Sequence, residues 1–570
     1  MIQMKRFVKF HFFSLCICCS LIVQAQRTAP DDFGQDELIN PSALTYAFDI
    51  AKGPVEGSDE SLIAHYHCPE WFRNAKFGIY MHWGLNTVPG FDGHYARRMY
   101  WSREPDASLR KNIILGYRNG ATKVYQYHVK HFGHPSRFGY KDFIPLWKAT
   151  RFDADSLAAF YKEVGARFIG VMAVHHDNFD LYDSKHQPWN SVEMGPKLDI
   201  VGAWEKACRK VGVHFAVTSH LSNYCHEHMF YQGSDADADG PYKGVPYDYM
   251  NSAYEGLYGK RTPDRILRIE PEFAQQWYER TKELVSKYHP DLLYFDGPLP
   301  NGIYGQQLAA HFYNTNFSEE GIQQGVLTIK RPRGGFTLDR EAQGVNELQK
   351  EPFLVDTSLN PGWFYMGNSL NIGKEGADAG MASVSKVEAK DKLRLTAGQV
   401  IDNLVDIVSK NGNMMLNVGL RADGSLPETF REELRKIGRW LKMNGEAIYD
   451  TRPFKVYGEG GVSQNRLKFI SVKGYNDDKY VYTSSDVRFT TKDGAVYVIV
   501  LDWPGNGKTL RVNSLGSGKA GKVRFVALVA DGRKLKWKQE KDALCITMPD
   551  APVGEYAYAF KVDFTGNKLK

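Results

Sequence analysis

After its first 25 residues the chain has no apolar run approaching the roughly 20 residues that a membrane-spanning helix requires, which argues against an integral membrane protein. Cysteine is scarce: seven in 570 residues, three of them (Cys16, Cys18, Cys19) within that first stretch. The remaining four, Cys68, Cys208, Cys225 and Cys545, are too widely spaced for a tight disulfide framework, so mostly buried free thiols are expected. Charge of one sign is also lacking. The formal net charge is +6, and without the three basic residues of the N-terminal stretch it falls to +3, with no basic stripe that would mark a nucleic-acid partner. No glycine-rich phosphate loop follows the first strand-like run, which argues against a dinucleotide fold.

What is present begins with an export signal. Lys5, Arg6 and Lys9 precede the apolar run Phe12–Val23, and Val23-Gln24-Ala25 fits cleavage before Gln26, so residues 1–25 are expected to be removed and the protein exported to a periplasm or beyond the cell. Residues 26–66 are polar and look like a loosely ordered lead-in. From 67 to 450 apolar strands alternate with amphipathic helices. Strands are expected at 76–84, 168–174, 213–220, 291–295, 325–330 and 413–418. Helices are expected at 153–164, with Asp153 or Asp155 as N-cap and Gly165 as stop, and at 200–211, 271–288 and 428–443. Strands that are apolar throughout mean a parallel sheet covered by helices, and their number favours a closed (β/α)8 TIM-like barrel. Beyond 451 short β-type runs recur between turn signals such as Pro504-Gly505-Asn506-Gly507. Residues 451–570 therefore read as a C-terminal antiparallel β-sandwich.

The chemistry gathers at strand ends. The apolar run Phe168–Val174 stops at His175, His176 and Asp177, and DLLYF (291–295) stops at Asp296-Gly297. Polar residues at the C-terminal ends of barrel strands line a pocket. Alternation along a strand would send the neighbours His175 and His176 to opposite faces. His175-His176-Asp177, or Cys225-His226 with His228, could ligate zinc, but the first strand carries no His-x-His pair, and no metal is expected. His128, His131 and His134 read as an ordinary solvated or half-buried loop set.

Four segments in order resemble the α-L-fucosidases of glycoside hydrolase family 29. They are PEWFRNAKFGIYMHWGLNTVP with His82, the VHHDNF run with WNSVEMGPKLDIVG, KYHPDLLYFDG, and LVDIVSKNGNMMLNVGLRADGSLPE followed by WLKMNGEAIYDTRPF. RFTTKDGAVYVIVLDWP (488–504) resembles the family's C-terminal β domain. The resemblance implies a retaining glycosidase with two carboxyl groups flanking the scissile bond and no cofactor. Asp296 matches the nucleophile, although a bare strand-end aspartate more often caps a turn. The acid/base falls on Glu341 within IKRPRGGFTLDREAQG, where Ala342-Gln343-Gly344 replaces the family's Arg-Gly. Glu347 and Glu351 compete with it, and Asp339 less so.

His82, His175, His176 and His220 are expected to fix sugar hydroxyls, since neutral imidazole can both donate and accept. Trp363 is expected to pack on the C6 methyl of fucose, and Arg331 to approach the nucleophile and lower its pKa. The family commonly carries Glu-Trp-Tyr after the first strand. Here the stretch is Gly93-His94-Tyr95-Ala96-Arg97, so the glutamate is missing and His94 becomes the candidate contact. The implied substrate is a fucosylated oligosaccharide or glycoconjugate. Two alternatives stay open: the same mechanism on another L-sugar such as an α-L-galactoside, or a non-catalytic glycan-binding protein of the same fold.

Overall fold

The computed structural model describes residues 46–103, 121–221, 235–259, 271–367, 391–460 and 477–567. The proposed signal and the Cys225–His228 segment lie outside these residues. Eight strands close into a barrel in chain order: β1 (Phe77–Met81), β2 (Phe168–Val174), β3 (His214–Ser219), β4 (Leu292–Phe295), β5 (Val326–Ile329), β6 (Thr337–Asp339), β7 (Phe353–Ser358) and β8 (Gly412–Asn417). Every neighbouring pair is parallel, and β8 returns to β1 through Phe77↔Met414 to Tyr80↔Asn417. Barrel strands face side chains inside and helices outside, which is why β1 and β2 are buried at every position.

The helices follow their stop and start signals. Asp153 accepts the Ser156 N–H at 3.1 Å and opens Ala154–Glu163. Asp199 does the same for Ile200–Val211 through Gly202, and Gly212 ends that helix in the left-handed region at φ 69°. Two strands escape the sequence reading. β6 has three residues, and neither β5 to β6 nor β6 to β7 is joined by a helix, so the alternation that marks the rest of the barrel is absent there. The lead-in also differs from expectation over 46–66. Tyr46 and Phe48 pack on Tyr278 and Tyr304 with ring centroids 5.0–6.0 Å apart, and Leu62 of helix Asp59–His65 is fully buried. Exposed aromatic side chains gain more by covering the barrel's helices than the segment loses in backbone freedom.

The C-terminal strands β9 (Arg452–Glu459), β10 (Val487–Lys492), β11 (Ala495–Val500), β12 (Thr509–Val512), β13 (Val523–Leu528), β14 (Trp537–Gln539), β15 (Leu544–Thr547) and β16 (Tyr558–Phe564) form two antiparallel sheets. Their orders are β13-β16-β11-β10-β9 and β12-β15-β14. Between the sheets lie Val496, Val498, Val500, Phe489, Phe560 and Ile546. The alternate residues of β11, Ala495, Tyr497 and Ile499, instead join the core of the barrel. That double burial explains why AVYVIV is apolar without alternation. A buried ion network bridges the same seam: Asp406 accepts from Lys410 at 2.7 Å and from Arg488 of β10 at 2.8 Å. Among the described residues no helix is long and apolar enough to cross a membrane. Cys68, Cys208 and Cys545 are free.

Candidate active site

Period-two alternation builds the site in layers. Tyr80 of β1 and Tyr294 of β4 point into the barrel, where their hydroxyls donate to Asp356 Oδ2 of β7 at 3.0 and 3.3 Å. Two residues further along the same strands, on the same face but one layer nearer the mouth, stand His82 and Asp296. Gly297 then adopts φ 137°, a conformation that favours glycine, and turns the chain away. Its carbonyl accepts the Lys330 N–H at 2.7 Å, which fixes the end of β5 beside the end of β4.

One ammonium meets two carboxylates. Lys330 Nζ lies 2.6 Å from Asp296 Oδ1 and 2.7 Å from Glu341 Oε2. Two oxygens so placed on one nitrogen cannot be farther apart than those distances together, within the roughly 5–5.5 Å of a retaining pair. The Asp296 and Glu341 side chains keep 21% and 24% of their surface exposed, so a ligand entering the mouth can reach both. The other Asp296 oxygen faces His176 Nε2 at 3.2 Å. Burial alone would push the Asp296 carboxyl up, but the Lys330 ammonium, the His176 hydrogen bond and the nearby His220 ring override it and hold it well below the ordinary carboxylate range. The cation beside Asp296 is thus Lys330, whereas its neighbour Arg331, expected there, is exposed. Alternation accounts for the correction, since Lys330 is two residues past the buried Thr328 and its neighbour Arg331 turns outward.

Glu341 and Ala342 both adopt positive φ, 29° and 51°, without a glycine. Such residues cost on the order of 1–3 kcal/mol each and persist only where their surroundings enforce them. Here the Ala342 N–H donates to the Asp356 carbonyl at 2.7 Å, and the Arg340 N–H to the Leu354 carbonyl at 2.9 Å, clamping the turn onto β7. The competitors Glu347 and Glu351 are exposed, and Asp339 is buried beneath the pair. Asp339 accepts the Asp356 N–H at 3.1 Å. Burial pushes Asp339 up to about 6, and burial together with Asp339 pushes Asp356 well above the carboxylate range.

Five histidines line the mouth. A register shift in β2 between Met172 and Val174 breaks the alternation expected for His175 and His176. Both rings enter the cluster, 4.6 Å apart and 5.0 and 5.8 Å from His220. His94 stacks on His176 with centroids 5.7 Å apart. His82 lies 5.2 Å from Trp363. A residue that the sequence reading missed, Asn417 at the end of β8, assigns the tautomers. Its Oδ1 accepts the His82 backbone N–H at 2.8 Å and lies 3.1 Å from His82 Nδ1, while its Nδ2 donates to the Trp363 carbonyl at 2.7 Å. His82 Nδ1 therefore carries the proton, His82 Nε2 accepts, and His220 Nε2 donates to it at 3.1 Å. Burial lowers His82 to about 3 and holds His175 and His220 well below the usual imidazole range, so these rings are neutral at neutral pH. Ring nitrogens of His82, His175 and His220 lie within 4.8 Å of one another, close enough to hold a metal ion, but two of them already share a hydrogen bond.

Two of the other three histidines, His128 and His134, differ from expectation, while His131 is exposed. His128 and His131 belong to helix Ala121–Phe132, and His128 is fully buried, donating from Nε2 to the Phe138 carbonyl at 2.8 Å and accepting from Tyr95 at 2.9 Å. His134 is buried too, stacked on Tyr242 with centroids 4.0 Å apart. Both rings hold the long β1–β2 connection together.

Comparison with known proteins agrees with this architecture. The rat (Rattus norvegicus) plasma alpha-L-fucosidase is 28% identical over 488 residues, 83% of this chain and 85% of the rat protein. The human (Homo sapiens) plasma alpha-L-fucosidase is 27% identical over 506 residues, covering 87% and 88% of the two chains. The solved structure of Thermotoga maritima alpha-fucosidase superposes with a TM-score of 0.62 at 25% identity, covering 89% of this chain and 100% of that one. The C-terminal domain of alpha-L-fucosidases matches residues 481–563. With the alpha-L-fucosidase family model matching residues 45–446, more than half of its length, this chain belongs to the alpha-L-fucosidase family of glycoside hydrolases.

Proposed function

We propose that the chain is an exported retaining exo-glycosidase that removes terminal α-L-fucosyl residues from fucosylated glycans by double displacement. The observation that carries this reading is the shared ammonium, which brings the Asp296 and Glu341 oxygens within a retaining spacing. Asp296, kept ionised by Lys330 and His176, attacks the anomeric carbon. Glu341 protonates the departing oxygen and then activates water. Neutral His175 and His220, with His176 and His94 beside them, offer donors and acceptors to ring hydroxyls, His82 orients His220, and Trp363 offers an apolar face to the C6 methyl. Export rests on the basic, apolar and small-residue order of residues 1–25.

The test is hydrolysis of an aryl α-L-fucoside followed by NMR. α-L-fucose as the first-formed sugar supports the reading; β-L-fucose sinks retention. Absence of turnover with retained fucose binding would instead favour a glycan-binding protein, and faster turnover of an aryl α-L-galactoside would reassign the sugar.

A further inference from the structure

The position of Lys330 has a consequence for charge during the reaction. In the resting site its ammonium contacts one oxygen of Asp296 and one of Glu341. Its backbone is tied to the turn after Asp296 by the bond to the Gly297 carbonyl, 2.7 Å. Other groups face it from every side. Tyr294 of β4 lies below, with Nζ 5.8 Å from the ring centroid, and the buried Asp339 of β6 and Asp356 of β7 lie beyond. His176 and His220 face Asp296 from β2 and β3. Burial alone would lower the ammonium, but Asp296, Glu341, Asp356 and Asp339 together lift it well above its ordinary range, so it stays charged.

We propose that Lys330 is a positioning residue that balances one negative charge as that charge moves between Asp296 and Glu341 in each half of the reaction. This rests on the double-displacement reading above. In the first step an Asp296 oxygen forms a bond to C1 while the bond from C1 to the leaving oxygen breaks. The leaving oxygen keeps that electron pair and takes the proton of Glu341. Asp296 becomes a neutral ester and Glu341 a carboxylate. In the second step water gives a proton to Glu341 and its oxygen bonds to C1. The electron pair of the ester bond returns to Asp296. The negative charge therefore leaves Asp296, rests on Glu341, and comes back. An ammonium within 2.7 Å of both carboxylates neutralises either state without moving, and the buried pocket never has to hold an uncompensated charge.

The experiment compares Lys330→Gln and Lys330→Arg in the full chain, with an activated aryl α-L-fucoside and a fucosyl disaccharide as substrates. Loss of the positive charge should slow both steps. For Lys330→Gln, kcat should fall on the order of 10²-fold on both substrates while KM changes little. The acid limb of the pH profile, set by ionisation of Asp296, should move up by about 1–3 pH units, because an opposite charge this close is lost. Lys330→Arg should keep the acid limb and regain part of the rate. A folded Lys330→Gln enzyme with an unmoved acid limb overturns the proposal. So does a loss confined to the disaccharide, which marks a defect in proton donation alone. Should the Gln variant melt early, the Arg variant decides: an acid limb raised despite the retained charge refutes charge balance. A wild-type protein inactive on aryl α-L-fucoside would refute the functional reading instead.

Discussion

Removing the Asp296 carboxylate separates chemistry from stability. Asp296→Ala deletes the proposed nucleophile, so turnover of an aryl α-L-fucoside should fall on the order of 10³-fold or more, because the covalent step has no substitute. Stability responds to two opposed effects. The variant loses a charge-assisted contact to Lys330 at 2.6 Å and one to His176 at 3.2 Å. Each is worth roughly 1.5–3 kcal/mol. The variant also removes the cost of holding an ionised carboxyl in a largely buried pocket. That cost is several kcal/mol for an ion in a protein interior. Lys330 keeps Glu341 at 2.7 Å, so no buried charge is left alone. The two lost contacts, about 3–6 kcal/mol together, are offset by a desolvation cost of similar size, so the variant should melt within several degrees of wild type. Calorimetry checks the folding, and azide checks the chemistry. A small nucleophile entering the vacated space should restore part of the turnover on the aryl substrate and yield β-L-fucosyl azide, of inverted configuration. Wild-type-like rates without azide would refute the nucleophile. A collapse in melting temperature would refute the balance of charges.

The remaining predictions address other groups. Glu341→Ala should cost 10²–10⁴-fold on substrates with poor leaving groups and far less on activated aryl fucosides, measured as kcat/KM across a leaving-group series; equal losses would point to another acid. Because both rings enter one cluster, His175→Phe and His176→Phe should each lose about ten- to a hundredfold in kcat/KM, roughly 1–3 kcal/mol per lost hydrogen bond. EDTA should leave wild-type activity unchanged, and its abolition with recovery on adding zinc would reassign the cluster to a metal. His128 tests the pH dependence. Burial lowers it from 6.5 to about 4, so between those values the unfolded chain binds a proton that the native state excludes. Its contribution is present above pH 6.5 and is lost as pH falls towards 4, by on the order of 3 kcal/mol in all. His128→Gln should be less stable at pH 7 but lose less on acidification, and parallel denaturation midpoints from pH 7 to 4 would contradict this.

Much of the site was legible because barrel strands are written plainly. Asp296 stands out where an apolar run stops at Asp-Gly, His82, His175 and His176 follow strands that are apolar throughout, and His220 closes a strand ending in Thr-Ser. Lys330 is less conspicuous than its neighbour Arg331, but counting in twos along β5 from Thr328 finds it. Asn417 had a signal as well, a polar residue closing NMML, but no charge to draw notice. The turn at Glu341 had none, since Glu-Ala gives no hint of positive φ and only the clamp from β7 enforces it. The paired histidines were misjudged in direction because a register shift leaves no trace in composition. β6 was invisible for a related reason: three residues between helix-free connections carry no periodicity.

The strand β11, apolar on both faces, sets a limit on how this protein can be taken apart. One face holds its own sandwich and the other completes the core of the barrel, while Trp440 donates to the Ala557 carbonyl at 2.7 Å and Asp406 receives Arg488 across the seam. A chain cut after residue 450 would keep every residue of the mouth and still lose the wall behind helix Ala397–Ser409. Asp406 would lose Arg488 and keep Lys410, and the pair would be newly open to water. The C-terminal segment is thus no detachable accessory. Substitutions deep in the sandwich, far from any sugar, should register as loss of enzyme rather than loss of chemistry: fewer folded molecules, each turning over at the full rate.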